Sequence, residues 1–438
     1  MCIRDRRIFP KRLEVSVGKW AKLRVTSLYI HDKNGFTFTS LDPTIAEVDS
    51  EGRVYAKAPG QTEIVVTSNT TGQTISCPVR VVQAGSVNCS TFYAKISDRG
   101  LVTDCKRNRI YIPDRELCRI IALDAYNYKF IGSVMLQGRP TRIRLSPDGD
   151  RLYTFIYGSE RIVEIDLDTL QVTRGLWTLA KNIVDFAVSN TKIIYIGERE
   201  YSEYYLGEIS LSTGQSRLIQ TPPFDVGCGP YDFVACDNDG RHVIVLLKSK
   251  RGLPNDTGVR LDTYDTPSSV VKVVTPCYFN DSMTHHILVR PGGDVFVTAT
   301  MVNRSSDLTV VAKANSNEYF PQGAWTPDGS RLVSATQIYN GDGMFLESEL
   351  NPDGFERSYP MTVTPDSKTI IRCRRISVGY SADSDAILLQ SVPIPPPQYG
   401  GLAGNVFDMT NNQSLKNAKV VVSRGAWCQA LYLSLIHI

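Results

Sequence analysis

The stretch Ser146-Pro147-Asp148-Gly149-Asp150-Arg151-Leu152-Tyr153 separates two apolar runs and decides the fold. Its proline presets the backbone at the second turn position, and its glycine accepts the positive φ that follows, so the stretch predicts a β-hairpin. Residues 326–333 and 364–371 repeat this pattern closely, and residues 290–297 repeat it more loosely. Weaker copies lie at residues 106–111, 189–195 and 237–243.

The repeat has a regular period. The first apolar residues after the turns are Ile110, Leu152, Ile193, Val243, Val295, Leu332 and Ile370. They are about forty residues apart, which is the period of a four-stranded propeller blade. Seven copies predict a ring of seven blades, and we expect the residues from Leu152 onwards to be buried at equivalent sites.

The composition is that of an all-β protein. The 438 residues are 42% apolar and 21% charged. Val, Ile, Thr and Tyr are frequent and are interrupted by Gly, Pro, Asn and Asp, which favours strands joined by turns. The net charge is +3 and no run of like charge is long, so we expect no nucleic-acid partner and no membrane span within the sequence.

The first and last six residues are related at the nucleotide level. Codons ATG TGT ATA AGA GAC AGn encode residues 1–6, and their reverse complement, CTG TCT CTT ATA CAC ATn, encodes residues 433–438. This relation is typical of a sequencing adapter translated at both edges of an assembled fragment. We therefore expect both hexapeptides to be adapter-derived and loosely packed, with the signal and anchor outside the sequence.

Residues 10–84 predict a small immunoglobulin-like β-sandwich. Strands are expected at residues 12–17, 22–29 and 77–82, with a strand–turn–strand unit at residues 40–56 and a turn followed by an alternating strand at residues 58–68. The residues resemble the group 2 bacterial immunoglobulin-like domain at Pro43, Ala46, Val48, Gly52, Val54, Ala56, Gly60 and Ile64. The resemblance implies a module of bacterial surface proteins without catalytic residues, and we interpret it as a spacer.

Residues 89–397 are expected to form the seven-bladed β-propeller. In its second blade the strands are predicted at residues 141–145, 151–157, 161–166 and 171–175. The pattern is similar to the YVTN-type propeller repeat, with Pro140, Pro230, Pro321 and Pro360 before four inner strands. The fourth blade departs from it through an expected insertion at residues 251–266. The resemblance implies a fold but no particular activity.

The ring is expected to close between its two ends. The proline cluster at residues 393–397 cannot continue a ladder, which leaves residues 386–391 as an exposed apolar edge. Residues 91–96 have strand composition without a partner nearby. We predict that these two segments pair.

The prolines at residues 393–398 also predict a stiff linker. Residues 400–432 resemble the start of a carboxypeptidase-regulatory-like or collagen-adhesin B-type module, with strands expected at residues 401–408 and 415–422. The fold class is thus all-β: a small immunoglobulin-like sandwich, a seven-bladed propeller and a truncated C-terminal β-sandwich.

Motifs for catalysis or metal binding are sparse. The sequence contains no C-x-x-C and no G-x-S-x-G, and its one adjacent histidine pair, His285-His286, points to opposite faces of a strand. The recurring turn aspartates are interpreted as turn formers rather than general acids, and calcium at Asp166 and Asp168 lacks the full loop pattern. Cys105 and Cys118 flank one hairpin and can either bridge or pack as small apolar residues. We expect no cofactor and no metal.

The residues at the starts of the inner strands are expected to line the mouth of the central funnel. They are Arg139, Tyr231, His285, Gln322 and Tyr359. Aromatic and amide groups with one arginine suit stacking and hydrogen bonding to a neutral polar ligand better than proton transfer.

The sequence supports two hypotheses about function. The first is a monomeric, non-enzymatic bacterial cell-surface or secreted protein whose propeller binds an extracellular glycan, peptide or protein, with a role in adhesion or at the envelope. The alternative is a propeller enzyme, a lactonase, lyase or glycan hydrolase, with its site at the central funnel.

Overall fold

A computed structural model describes most of the chain up to residue 396 and two short segments beyond it. The described residues are 6–27, 35–84, 88–92, 94, 96, 100–180, 182–198, 204–219, 233–247, 258–265, 268–272, 287–298, 301–306, 309–313, 323–334, 337–341, 346–350, 360–376, 386–396, 419–424 and 427–432. Within these ranges the regular structure is all β, and no helix is long and apolar enough to cross a membrane.

The first nine strands build the immunoglobulin-like domain. They are β1 (Arg6–Phe9), β2 (Leu13–Ser16), β3 (Trp20–Lys22), β4 (Arg24–Ser27), β5 (Phe36–Ser40), β6 (Ala46–Val48), β7 (Arg53–Ala56), β8 (Gly60–Ser68) and β9 (Thr74–Val82). Strands β2, β9, β8 and β5 pair in that order, β3, β7 and β6 pair in a second group, and β1 pairs with β4.

Buried and more exposed side chains alternate along these strands, which gives the sandwich its apolar core. In β8, every second side chain from Thr62 onwards is buried, including Ile64 and Val66. These side chains pack against Leu13, Val54 and other buried residues in one apolar core. The sequence did not predict β5, whose side chains are all half-buried or exposed and therefore carry a weak signal.

The ring follows, with its strands in chain order. They are β10 (Asn88–Phe92), β11 (Val102–Asp104), β12 (Arg109–Asp114), β13 (Arg119–Asp124), β14 (Phe130–Met135), β15 (Pro140–Leu145), β16 (Arg151–Ile156), β17 (Arg161–Asp166), β18 (Gln171–Trp177), β19 (Asn182–Val188), β20 (Lys192–Glu198), β21 (Tyr204–Ser210), β22 (Ser216–Leu218), β23 (Phe233–Cys236), β24 (His242–Leu247), β25 (Gly258–Asp265), β26 (Ser268–Lys272), β27 (Leu288–Val289), β28 (Val295–Thr298), β29 (Met301–Arg304), β30 (Val310–Lys313), β31 (Ala324–Trp325), β32 (Arg331–Val333), β33 (Gln337–Asn340), β34 (Leu346–Glu349), β35 (Met361–Val363), β36 (Thr369–Ile376) and β37 (Ala386–Pro393).

Strands β11 to β34 are grouped into separate four-stranded antiparallel sheets, each made of four consecutive strands. The first strands of successive sheets lie side by side, from β11 and β15 through to β31 and β35. At least five of these sheets are arranged like the blades of a propeller. The ring is thus propeller-like, while the YVTN type and the count of seven stay predictions.

The recurring turn owes its shape to one hydroxyl and one carboxylate. Ser146 Oγ accepts the N–H of Arg151 at 2.9 Å, and Thr364 Oγ1 accepts that of Thr369 at 3.0 Å. Asp148 and Asp366 each accept the N–H two residues later, at 3.0 Å and 3.2 Å. These aspartates therefore form turns, as predicted.

The positive φ expected in the turn is observed, with +72° at Gly149 and +69° at Gly329. The apolar residues that follow the turns are all buried, as predicted. They are Leu152, Ile193, Val243, Val295, Leu332 and Ile370. The strands of the second blade also lie within two residues of their predicted bounds.

The ring closes between its two ends as predicted, but the pairing is shifted toward the N-terminus: of the predicted segment 91–96, Thr91 and Phe92 pair with β37, whereas Ala94 and Ile96 lie outside the strand. Strand β10 pairs with β37 from Asn88 opposite Ser391 to Phe92 opposite Ile387. Phe92 is buried in one core with Ile371 and Leu389 at the other end of the ring. The paired strand thus begins three residues before the predicted segment.

The other edge of β10 belongs to the immunoglobulin-like domain. Ser90 lies opposite Val15 of β2, and Phe92 lies opposite Lys22 of β3. One hydrogen-bonded sheet therefore runs from the end of the ring through β10 into the first domain. A domain interpreted from sequence as a spacer is thus joined to the ring by backbone pairing.

Further backbone and side-chain contacts strengthen this junction. The backbone N–H of Trp20 donates to the carbonyl of Asn127 at 3.1 Å, and the Lys19 ammonium donates to the carbonyl of Tyr126. Lys19 Nζ also lies 4.8 Å from the centre of the Tyr128 ring. Burial lowers the pKa of Lys19, an effect that nearby Asp124 opposes. The contacts hold the first domain against the turn after β13.

One expectation for the fourth blade is wrong. The interval predicted as an insertion contains β25, which pairs antiparallel with β24 from His242 opposite Thr263 to Leu247 opposite Gly258. Proline and glycine just before Gly258 gave the interval the appearance of a loop, although the residues that follow alternate as a strand does.

The C-terminal unit, residues 396–438, is described by one hairpin. Strands β38 (Lys419–Arg424) and β39 (Trp427–Tyr432) pair antiparallel. Strand β38 overlaps the predicted strand at residues 415–422, and residues 401–408 lie outside the described residues. So do residues 1–5 and 433–438, which leaves loose packing of the two hexapeptides a prediction; Arg6 begins β1.

Candidate functional site

Of the five residues predicted at the funnel mouth, the structure describes Arg139. Arg139 is exposed, directly precedes β15, and its carbonyl accepts the N–H of Tyr157 at 2.9 Å. Tyr231, His285, Gln322 and Tyr359 lie outside the described residues. Their grouping with Arg139 at a ligand site therefore stays a prediction.

The inner strands enclose a central channel of about 420 Å³. Its wall takes residues from, or next to, β11, β15, β19, β23, β27, β31 and β35. Most of the lining side chains are apolar, including Leu101, Leu145, Val188, Val289, Trp325 and Met361, whereas about half of the exposed channel surface is polar. A volume of this size is in the range that encloses small organic molecules.

Each of these strands is the first of its sheet and pairs along only one edge. The wall therefore offers backbone polar groups besides its apolar side chains. Of the lining residues that the structure describes, Arg144 alone carries a charge.

Arg144 belongs to a cluster with Arg142 and Asp185. Asp185 has 1% of its side chain exposed and contacts both guanidinium groups, with Arg144 Nη2 at 3.3 Å. Its Oδ2 also accepts the N–H of Val234 at 3.2 Å. Since these residues belong to β15, β19 and β23, one carboxylate joins three consecutive sheets.

The two arginines differ in how far their side chains are buried. Arg142 has 12% of its side chain exposed, and burial lowers its pKa while Asp185 opposes that shift. Arg144 keeps 37% of its side chain exposed. Arg142 thus acts within the wall, whereas Arg144 presents a cation to the channel.

This cluster is absent from the site residues expected from the sequence. The sequence does contain Arg142 and Arg144 at alternate positions of an inner strand, which places both on one face. Their partner Asp185 lies in the next sheet, 41 residues after Arg144. The one sequence feature that could have indicated the cluster is therefore the pair of arginines in an inner strand.

A second cavity, a cleft of about 480 Å³, lies at the turns of neighbouring sheets. Its wall includes Asp237, Asp239, His242 and Asp294. His242 Nδ1 lies 2.6 Å from Asp237 Oδ2, and Asp237 Oδ1 accepts the backbone N–H of His242 at 3.1 Å. Both contacts close the turn, so His242 has a structural role there.

Other candidate groups also have structural partners. Asp166 accepts the N–H groups of Asp168 and Thr169 at 3.1 Å and 2.9 Å, and Asp168 accepts from Arg107 Nε at 2.7 Å. No disulfide joins Cys105 and Cys118. Among the described residues, no cluster of three His, Cys, Asp or Glu side chains can hold a metal; His285 and His286 lie outside that range.

Comparison with known proteins adds one finding, and it concerns the first domain. No curated protein matches the chain. Domains of the group 2 bacterial immunoglobulin-like type are typically found in extracellular or surface proteins, which points to a modular surface protein. Residues 5–79 of this chain match the family model of that bacterial Ig-like domain (group 2).

Proposed function

We propose that the protein is a non-enzymatic, modular, secreted or cell-surface binding protein of bacteria, in which the ring presents the ligand site. The observation that carries the proposal is β10, which pairs with the bacterial immunoglobulin-like domain on one edge and with β37 on the other. This pairing holds the ring on a module typical of surface proteins.

We further propose that the ring is a seven-bladed propeller of YVTN type spanning residues 89–397. The sheets formed by β11 to β34, together with the run β35, β36, β37 and β10, support that count. A C-terminal module of carboxypeptidase-regulatory-like or collagen-adhesin B-type begins at residue 400. The protein is monomeric and acts in adhesion or at the envelope.

The ligand of the funnel mouth is a glycan, peptide or protein, held by Arg139, Tyr231, His285, Gln322 and Tyr359. The test applies the full chain to a glycan array and to extracts of surface proteins. We expect saturable binding that Arg139→Ala weakens and that Arg241→Ala leaves unchanged. Arg241 provides the control because it is exposed in a turn at the opposite end of the sheets. Equal binding by both variants would contradict a site at the mouth.

The alternative is a lactonase, lyase or glycan hydrolase at the same funnel. Lactones and aryl glycosides should be turned over at background rates by the purified chain. Turnover that disappears in the His285→Ala variant would replace the binding proposal by the enzymatic one.

A further inference from the structure

We propose that the central channel is a binding site of its own, specific for a small organic monocarboxylate with an apolar body. The proposal deepens the function proposed above, because it names a ligand class for the channel behind the mouth. The observation behind it is a single cationic side chain, Arg144, among mostly apolar described lining side chains around a volume of about 420 Å³.

The contacts of Arg144 position its guanidinium without saturating it. Nε donates to the carbonyl of Phe186 at 3.3 Å, and Nη2 lies 3.3 Å from Asp185 Oδ1. Both distances are long for charge-assisted hydrogen bonds, which are usually about 2.7–2.9 Å. A guanidinium has five N–H donors, so donors on Nη1 and Nη2 remain for a ligand.

Several donors compete for Asp185, and this competition also leaves the charge of Arg144 available to a ligand. Asp185 also contacts Arg142 and accepts the backbone N–H groups of Phe186 and Val234. Since one carboxylate serves four donors, it neutralises Arg144 only in part. An anion in the channel therefore gains an exposed guanidinium held in place by the wall.

The other lining side chains determine which charge and which kind of body the ligand can have. Leu145, Val188 and Met361 offer apolar surface, and no second charged side chain is among the described lining residues. A dianion would leave one charge uncompensated in these surroundings, whereas a monocarboxylate is matched by the planar guanidinium. An apolar body then fills the space between the inner strands.

The test measures binding of benzoate to the full chain by equilibrium dialysis, with benzamide as the neutral analogue of the same shape. We expect saturable binding of benzoate and at least about tenfold weaker binding of benzamide, as loss of a charge-assisted contact implies. Equal binding of the two compounds, or no benzoate binding at 10 mM (roughly the limit for a weak specific site), would overturn the proposal.

Two variants locate the site. Arg144→Gln should weaken benzoate binding at least about tenfold while Arg142 remains paired with Asp185. Val188→Phe keeps the charge but adds volume at the wall of the channel, and it should weaken benzoate binding through steric exclusion. Circular dichroism verifies that each variant is folded, and undiminished binding by either folded variant would overturn the proposal.

The control Arg139→Gln distinguishes the channel site from the proposed site at the funnel mouth. It should leave benzoate binding unchanged, because Arg139 precedes β15 whereas Arg144 lies near its end. If glycans and surface proteins fail to bind but benzoate binding depends on Arg144, the mouth proposal fails and the channel stands. Loss of benzoate binding in Arg139→Gln would contradict a separate channel site.

Discussion

Replacing Asp185 by alanine is expected to lower the free energy of unfolding by about 3–5 kcal/mol, the usual cost of removing one partner from a buried ion pair. Asp185 is 1% exposed and contacts Arg142, Arg144 and the N–H of Val234. Its loss removes the carboxylate that joins three consecutive sheets and leaves the buried Arg142 without that counter-charge. Chemical denaturation monitored by circular dichroism measures the change.

Asp168→Ala is the matched control. Asp168 also pairs with an arginine, but 74% of its side chain is exposed. Because solvent screens such a surface pair, removing it should lower the free energy of unfolding far less than Asp185→Ala does. A loss of stability in Asp185→Ala no larger than that of the control would show that the cluster does not hold the sheets together.

Replacing Phe92 by alanine should have an effect of similar size, about 3–5 kcal/mol, from lost burial and the cavity left behind. Phe92 is 2% exposed and packs in one core with Ile112, Ile371 and Leu389. Because β10 pairs with both domains, the variant should destabilise the ring and the immunoglobulin-like domain together. Thermal unfolding followed by near-ultraviolet circular dichroism measures this shift.

Tyr126→Ala is the control for Phe92→Ala. Tyr126 is an aromatic residue of similar size at the same junction, but it is 40% exposed. Its removal should change stability by no more than about 0.5 kcal/mol. If Phe92→Ala were as mild, the ring would not depend on the core that joins its two ends.

The turns of the ring could be predicted from sequence because their signal is local. The hydroxyl of Ser146, the Pro-Asp-Gly that follows and the buried Leu152 all lie within one short stretch. Ser146 Oγ donates to the carbonyl of Arg151 and accepts its N–H, and these bonds need no partner elsewhere in the chain. Repetition of this unit then carried the prediction of a propeller-like ring.

Contacts between distant segments could not be predicted to the same degree. The closing strand was expected from residue 91 but begins at Asn88, because its ends are set by partners in β37 and in the first domain. Arg144 and Asp185 meet only when β15 and β19 become neighbours in the ring. Neither contact leaves a signal within a single stretch of sequence.

The measurement that tests the closed ring most directly is a cross-strand disulfide between β10 and β37. Cys89 is a buried free thiol, and its Cα partner is Gln390. Directly opposed residues of an antiparallel pair are about 4.5–5.5 Å apart, which a disulfide can span. Burial raises the pKa of Cys89, so oxidation needs a catalyst such as copper phenanthroline.

In the Gln390→Cys variant, we expect mass spectrometry of the digested protein to find Cys89 linked to the introduced cysteine. The control is Leu388→Cys, because the Cα partner of Leu388 is Thr91 rather than Cys89. The closed ring predicts the link in the first variant and its absence in the second. No link in Gln390→Cys, or equal linkage in both variants, would contradict the closure of the ring by β10.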